Sequence, residues 1–126
     1  MIDVLLVEPD RVLGGIYERA LKDAGHTVRI AGDAQNAVQM IDERRPDVVV
    51  CELILGEHNG VEFIYELRSY ADWSDIPIII LTSVSPEDVG LNAKQQASLG
   101  VADYLYKPQA SLQQIVKSIQ DVADAK

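Results

Sequence analysis

Five side chains suited to ionic or hydrogen-bonding chemistry stand at the ends of short apolar runs. Glu8 and Asp10 follow Ile2 to Val7, Glu52 closes Asp47 to Glu52, Thr82 closes Ile78 to Thr82, and Lys107 follows Asp103 to Tyr106. If those runs are neighbouring strands, three carboxylates and one ammonium group meet at one edge of a sheet. Carboxylates that close repel one another, and the repulsion is relieved by a divalent cation, by a nearby ammonium group, or by a raised pKa on one acid. Oxygen ligands favour magnesium or calcium. Magnesium keeps several waters and binds one or two carboxylates together with phosphate oxygens, which suits phosphoryl chemistry on a carboxylate. Thr82 and Lys107 then serve as contacts to phosphoryl oxygens, or to a carboxylate that imitates them. Plainer readings stand beside these: Asp10 as a helix cap with Glu8 solvated, and Glu52 as the fixed ion-pair partner of Lys107.

The elements that must position these residues follow from hydrophobic periodicity. Ile2 to Val7, Asp47 to Glu52 and Ile78 to Thr82 are nearly continuous in apolar residues, as expected of interior strands of a parallel sheet covered on both faces. Thr27 to Ala31 and Asp103 to Tyr106 are shorter and alternate polar with apolar, which suits the two edges. Val12, Leu13, Ile16, Tyr17, Ala20 and Leu21 form one helical stripe, ended by Gly25. Asp33 caps a second helix carrying Ala34, Ala37, Val38 and Ile41, which stops before Pro46. A third follows Gly60 with Val61, Ile64 and Leu67 inward, and the last runs from Ser111 with Leu112, Ile115, Val116, Ile119 and Val122. Ser85-Pro86-Glu87-Asp88 is a good helix opening, yet Gly90 comes early, so regular helix in this fourth segment is expected to begin near Leu91. Alternating strands and helices with right-handed crossovers give a doubly wound α/β sheet, whose ligands bind beyond the carboxyl ends of the strands.

A chain of 126 residues, 48% of them apolar and 25% charged, is expected to form one domain over 1–126 with its own packed core. Its longest apolar stretch, Ile76 to Leu81, falls far short of the roughly 20 residues of a membrane span. Met1-Ile2-Asp3-Val4 lacks the basic stretch of a secretory signal, so a cytoplasmic location is expected. The lone Cys51 lies in an apolar run and reads as a small core residue. A formal net charge of −9 argues against direct binding of nucleic acid. Enzyme chemistry is disfavoured too: no glycine-rich phosphate loop follows the first strand, and no His/Ser or His/Cys pair is placed for nucleophilic catalysis.

Four segments, taken in order, resemble the receiver domain of two-component response regulators, and the resemblance covers essentially the whole chain. They are Glu8-Pro9-Asp10, the run from Glu52 through Leu53, Ile54 and Asn59 to Gly60, Pro77 to Ser83, and Ala102 to Pro108. The resemblance implies a flavodoxin-like fold with five parallel strands in the order 2-1-3-4-5 and five helices. It implies a phosphorelay signalling module, not an enzyme, that works with a histidine kinase, a phosphotransfer protein or a downstream effector. A homodimer through the fourth helix, fifth strand and fifth helix is a further family expectation. Residue by residue, Glu8 and Asp10 become the acids that hold Mg2+, joined by Glu52 and by the backbone carbonyl of Ile54. Lys107 becomes the phosphoryl-contacting lysine, Thr82 the switch hydroxyl and Tyr104 the aromatic switch. The Lys107-Pro108 bond is expected to be cis.

Two departures from the family pattern bear on function. Glu52 stands where receivers carry the phosphate-accepting aspartate, and its extra methylene moves the carboxylate by roughly 1.5 Å. A displacement of about 1 Å costs on the order of a hundredfold in a positioned reaction, so acceptance of a phosphoryl group should be impaired. The same extension carries negative charge toward Lys107 and Thr82, in partial imitation of a phosphorylated aspartate. The second departure is Val84 to Asn92, a few residues longer than usual between Thr82 and the fourth helix. The leading expectation is a receiver made insensitive to phosphorylation, or biased, by Glu52. Its rivals are a receiver still competent for phosphorylation and, from another class, a small flavodoxin-like nucleotide binder or enzyme. Outside the site, His58 reads as an exposed loop residue and Trp73 as a cover for the end of the third helix.

Overall fold

The computed structural model describes residues 1–56 and 58–125. Five parallel strands form the main sheet: β1 Asp3–Val7, β2 Thr27–Ala31, β3 Val48–Cys51, β6 Ile78–Thr82 and β7 Val101–Tyr106. Their order is β2-β1-β3-β6-β7, which is 2-1-3-4-5 when main-sheet strands alone are counted. A small antiparallel hairpin, β4 Ile54–Leu55 and β5 His58–Asn59, lies between β3 and the third helix and has no counterpart in the sequence reading. Strand β7 begins at Val101, two residues before the expected start, and β3 stops at Cys51, leaving Glu52 just past its end.

The helices are α1 Arg11–Asp23, α2 Ala34–Glu43, α3 Gly60–Ser69, α4 Ala93–Ser98 and α5 Leu112–Asp124. Each starts at a side-chain cap: Asp10, Asp33, Asn59, Asn92 and Ser111 accept first-turn backbone N–H groups. Alternate residues of the central strands point to opposite faces of the sheet. Leu5, Val7, Val49, Cys51, Ile78 and Ile80 pack with Ala37, Ile41, Phe63, Ile64 and Leu67 on one side. Val4, Leu6, Val48, Val50, Ile79 and Leu81 pack with Tyr17, Leu21, Ile115 and Ile119 on the other. Burial on both faces is why these strands tolerate no polar alternation.

Two expectations about the helices change, and the late start of the fourth helix is met to within two residues. Val12 and Ile16 are 73% and 45% exposed, because α1 turns Gly14, Tyr17 and Leu21 to the sheet and carries those two residues on the flank facing away. Leu112, in the first turn of α5, is likewise exposed. Ser85 to Asp88 forms a turn closed by Asp88 N–H on the Ser85 carbonyl, Gly90 follows at φ +78, and α4 starts only at Ala93 behind the Asn92/Gln95 capping box.

Candidate functional site

The carboxyl ends of β1 and β3 lie side by side, with Val7 opposite Cys51. The next residue on each strand is therefore an acid at the same level. Glu8 N–H donates to the Ala31 carbonyl at 2.9 Å and Glu52 N–H to the Val7 carbonyl at 3.0 Å, which extends the sheet bonding by one step and fixes both backbones. Both side chains are buried, at 4% and 5% exposure. Thr82, at the end of the neighbouring β6, is fully buried, and Lys107 follows directly on β7.

These four residues form one hydrogen-bonded unit. Lys107 Nζ bridges the acids, 2.7 Å from Glu8 Oε1 and 2.8 Å from Glu52 Oε1. Glu52 Oε2 receives the backbone N–H of Leu53 at 2.5 Å and of Ile54 at 3.1 Å, and the Thr82 hydroxyl donates to it as well. Glu8 Oε2 receives Asp10 N–H at 3.2 Å. Burial acts to raise the Glu52 pKa, but the hydrogen bonds from Lys107, Thr82 and Ile54 N–H outweigh it and hold the carboxyl below its ordinary value. For Lys107 burial acts to lower the pKa, and the contacts with Glu52 and Glu8 outweigh it, so its ammonium form is favoured beyond the ordinary range. The two partners agree: the bridge is ionic.

From Thr82 the bonding continues outward. Val84 N–H donates to Thr82 Oγ1 at 3.1 Å, and Tyr104 donates its hydroxyl to the Val84 carbonyl at 2.6 Å. Tyr104 is half-buried against the core, and burial, followed by the charge of Glu52, pushes its pKa up to about 12. The expected link between Thr82 and Tyr104 therefore runs through the backbone of Val84. Sequence reasoning had no side-chain signal for that residue. Gly60 is a second positioning residue: its N–H donates to the Leu53 carbonyl at 2.8 Å, and a Cβ there would lie 2.6 Å from both the Glu52 carbonyl oxygen and Leu53 Cα. Only a residue without a side chain lets α3 start this close to the loop carrying Glu52.

The other expected residues fall around this unit. Asp10 caps α1, its Oδ1 accepting Val12 and Leu13 N–H at 2.9 and 3.0 Å, and it stays exposed at the rim. Ile54 has its side chain 55% exposed and its backbone paired with Asn59 in the hairpin. Among the described residues no group of three or more His, Cys, Asp and Glu side chains stands in an arrangement that holds a metal ion. There is no cis peptide bond among them either, so Lys107-Pro108 is trans. The 3-10 turn Lys107–Gln109 takes the proline in its first positions, where a missing N–H costs no bond. Cys51 is fully buried and burial raises its thiol pKa, which fits a core residue. His58 is exposed in β5, and Trp73 packs against the core with its ring 4.8 Å from that of Tyr70, beyond the end of α3.

The fold and the four-residue unit can be set against known proteins. Residues 4–120 match the model of the response regulator receiver domain family. Among curated relatives, the response regulator MprA of Mycobacterium ulcerans is 38% identical over 110 residues, which is 85% of this chain and 44% of that protein. The chain thus spans less than half the length of the curated relatives it matches. Among solved structures, the chemotaxis response regulator CheY4 of Vibrio cholerae superposes with a TM-score of 0.83 at 27% identity, over 97% of this chain and 98% of that one. A response regulator of Chloroflexus aurantiacus gives 0.84 at 25% identity, over 98% of each chain. The sheet order, the strand-end acids with their lysine, and the family match over nearly the full length agree: this chain belongs to the response regulator receiver domain family.

Proposed function

We propose that this receiver is held in its engaged state by Glu52 and signals through protein contacts without accepting a phosphoryl group. One observation carries the reading: the Glu52 carboxylate already takes the Thr82 hydroxyl and the Lys107 ammonium, the two donors assigned to phosphoryl oxygens. Saturation of Oε2 by two backbone N–H groups and a hydroxyl leaves it a poor nucleophile, since its lone pairs point into fixed donors. The bonds through Val84 to Tyr104 extend the engaged arrangement to the surface of β7, where a partner would meet it. A carboxylate supplies less charge and fewer acceptor oxygens than a phosphoryl group, so the imitation is partial.

Receiver domains generally act as signalling modules beside histidine kinases and downstream effectors, and that is the role proposed here, without catalysis and without direct contact to nucleic acid. No described helix is long and apolar enough to cross a membrane. The test is incubation with magnesium and a small-molecule phosphodonor, followed by intact mass. The wild type should stay unlabelled and Glu52→Asp should gain one phosphoryl group. Stoichiometric labelling of the wild type would overturn the proposal in favour of a phosphorylation-competent receiver.

A further inference from the structure

Members of this family generally take Mg2+ at the acids beside the phosphorylation site, and Glu8, Asp10, Glu52 and the Ile54 carbonyl are the residues that would do so here. Their arrangement does not fit that ion. Magnesium demands near-octahedral oxygens at about 2.0–2.1 Å and keeps several waters, so it needs carboxylate oxygens that face solvent. Glu8 and Glu52 are 4% and 5% exposed, and one oxygen of each is taken by Lys107 Nζ at 2.7 and 2.8 Å. Their second oxygens receive Asp10, Leu53 and Ile54 N–H and the Thr82 hydroxyl. Asp10, the exposed acid, spends Oδ1 on the start of α1.

We infer that Lys107 is the resident cation of this acidic site, and that a divalent ion enters it only by displacing Lys107 from Glu8 and Glu52. With glutamate at position 52, one ammonium group touches both acids at once, at 2.7 and 2.8 Å. One net negative charge remains on the Glu8, Glu52 and Lys107 trio, and the three backbone N–H groups and the hydroxyl aimed at the acids solvate it. The repulsion between the two acids is thereby relieved from within the chain, and the arrangement stands without magnesium. This inference rests on the engaged Glu52 geometry of the proposed function but is read by a different measurement, metal binding without a phosphodonor.

The experiment is a titration of the intact chain with MgCl2 at constant ionic strength, followed through the amide NMR signals of Asp10, Leu53 and Ile54 and through thermal unfolding. The wild type should show no saturable shift and no magnesium-dependent rise in Tm up to about 10 mM, the range in which a bound ion would stabilise by mass action. Lys107→Met should bind magnesium at least about tenfold more tightly, because it exposes two acids with no cation between them. If Lys107→Met does not fold, Glu52→Asp decides: withdrawing the carboxylate from Lys107 should likewise create saturable binding. Saturable wild-type binding with a Kd at or below about 10 mM overturns the inference, as does a Lys107→Met or Glu52→Asp protein that folds and still ignores magnesium. A wild type that binds magnesium yet refuses a phosphoryl group leaves the proposed function standing. A wild type silent to magnesium but labelled by a phosphodonor does the reverse.

Discussion

Thr82→Val offers a quantitative test of the bond between Thr82 and Glu52. The substitution keeps the side-chain shape and removes the hydroxyl that donates to Glu52 Oε2 and accepts Val84 N–H at 3.1 Å. A hydrogen bond to a charged group contributes about 1.5–3 kcal/mol, and with Thr82 fully buried no water replaces the lost partner, so Thr82→Val should cost about 2–3 kcal/mol in urea unfolding. Repeating the substitution in a Glu52→Gln background separates the charge-assisted part. There the bond becomes neutral, contributing about 0.5–1.5 kcal/mol, and the double-mutant cycle should return a coupling of about 1–1.5 kcal/mol. Thr82→Ser is the control: it loses a methyl group, about 0.8 kcal/mol, and keeps the coupling with Glu52. A coupling below about 0.3 kcal/mol, within the error of additivity, would refute the claim that Glu52 holds Thr82 as a charged acceptor.

Three further outcomes follow from the same geometry. Glu52 has its folded pKa depressed, so its contribution to stability is complete above its unfolded pKa and is lost as pH falls through the folded value; an acid unfolding series should steepen below about pH 4.3, and Glu52→Gln should flatten it. Lys107 has its folded pKa raised, so its contribution is complete below its unfolded pKa of about 10.4 and is lost as pH rises through the folded value; Lys107→Met should remove that alkaline loss in the same assay. Gly60→Ala would set a methyl group against the Glu52 and Leu53 backbone at 2.6 Å, and an overpacking cost of about 1–3 kcal/mol is expected, with shifted amide signals at Leu53 and Ile54 as the sign that the Glu52 loop has moved.

Glu8, Glu52, Thr82 and Lys107 were legible as one site because each stands at the end of a run whose Val, Ile and Leu content already dictated a parallel strand, and parallel strands place their carboxyl ends together. The illegible parts are those where backbone makes the contact or where a pattern of residue types fits more than one arrangement. Val84 contributes only its N–H and carbonyl to the path toward Tyr104, and no residue-type pattern marks that. Val12 and Ile16 satisfied a helical apolar spacing, but a stripe gives only an arc, and in the fold Gly14, Tyr17 and Leu21 are the part of it that faces the sheet. The choice between a bound metal ion and an internal ammonium group was likewise open, since both relieve the same repulsion between acids. It turns on whether one nitrogen reaches two carboxylates 44 residues apart in sequence, and Lys107, placed by β7 pairing with β6, brings its Nζ within 2.7 and 2.8 Å of both. On the reading proposed above, the extra methylene carries the Glu52 carboxylate onto the Thr82 and Lys107 donors, the place a phosphoryl group would otherwise take.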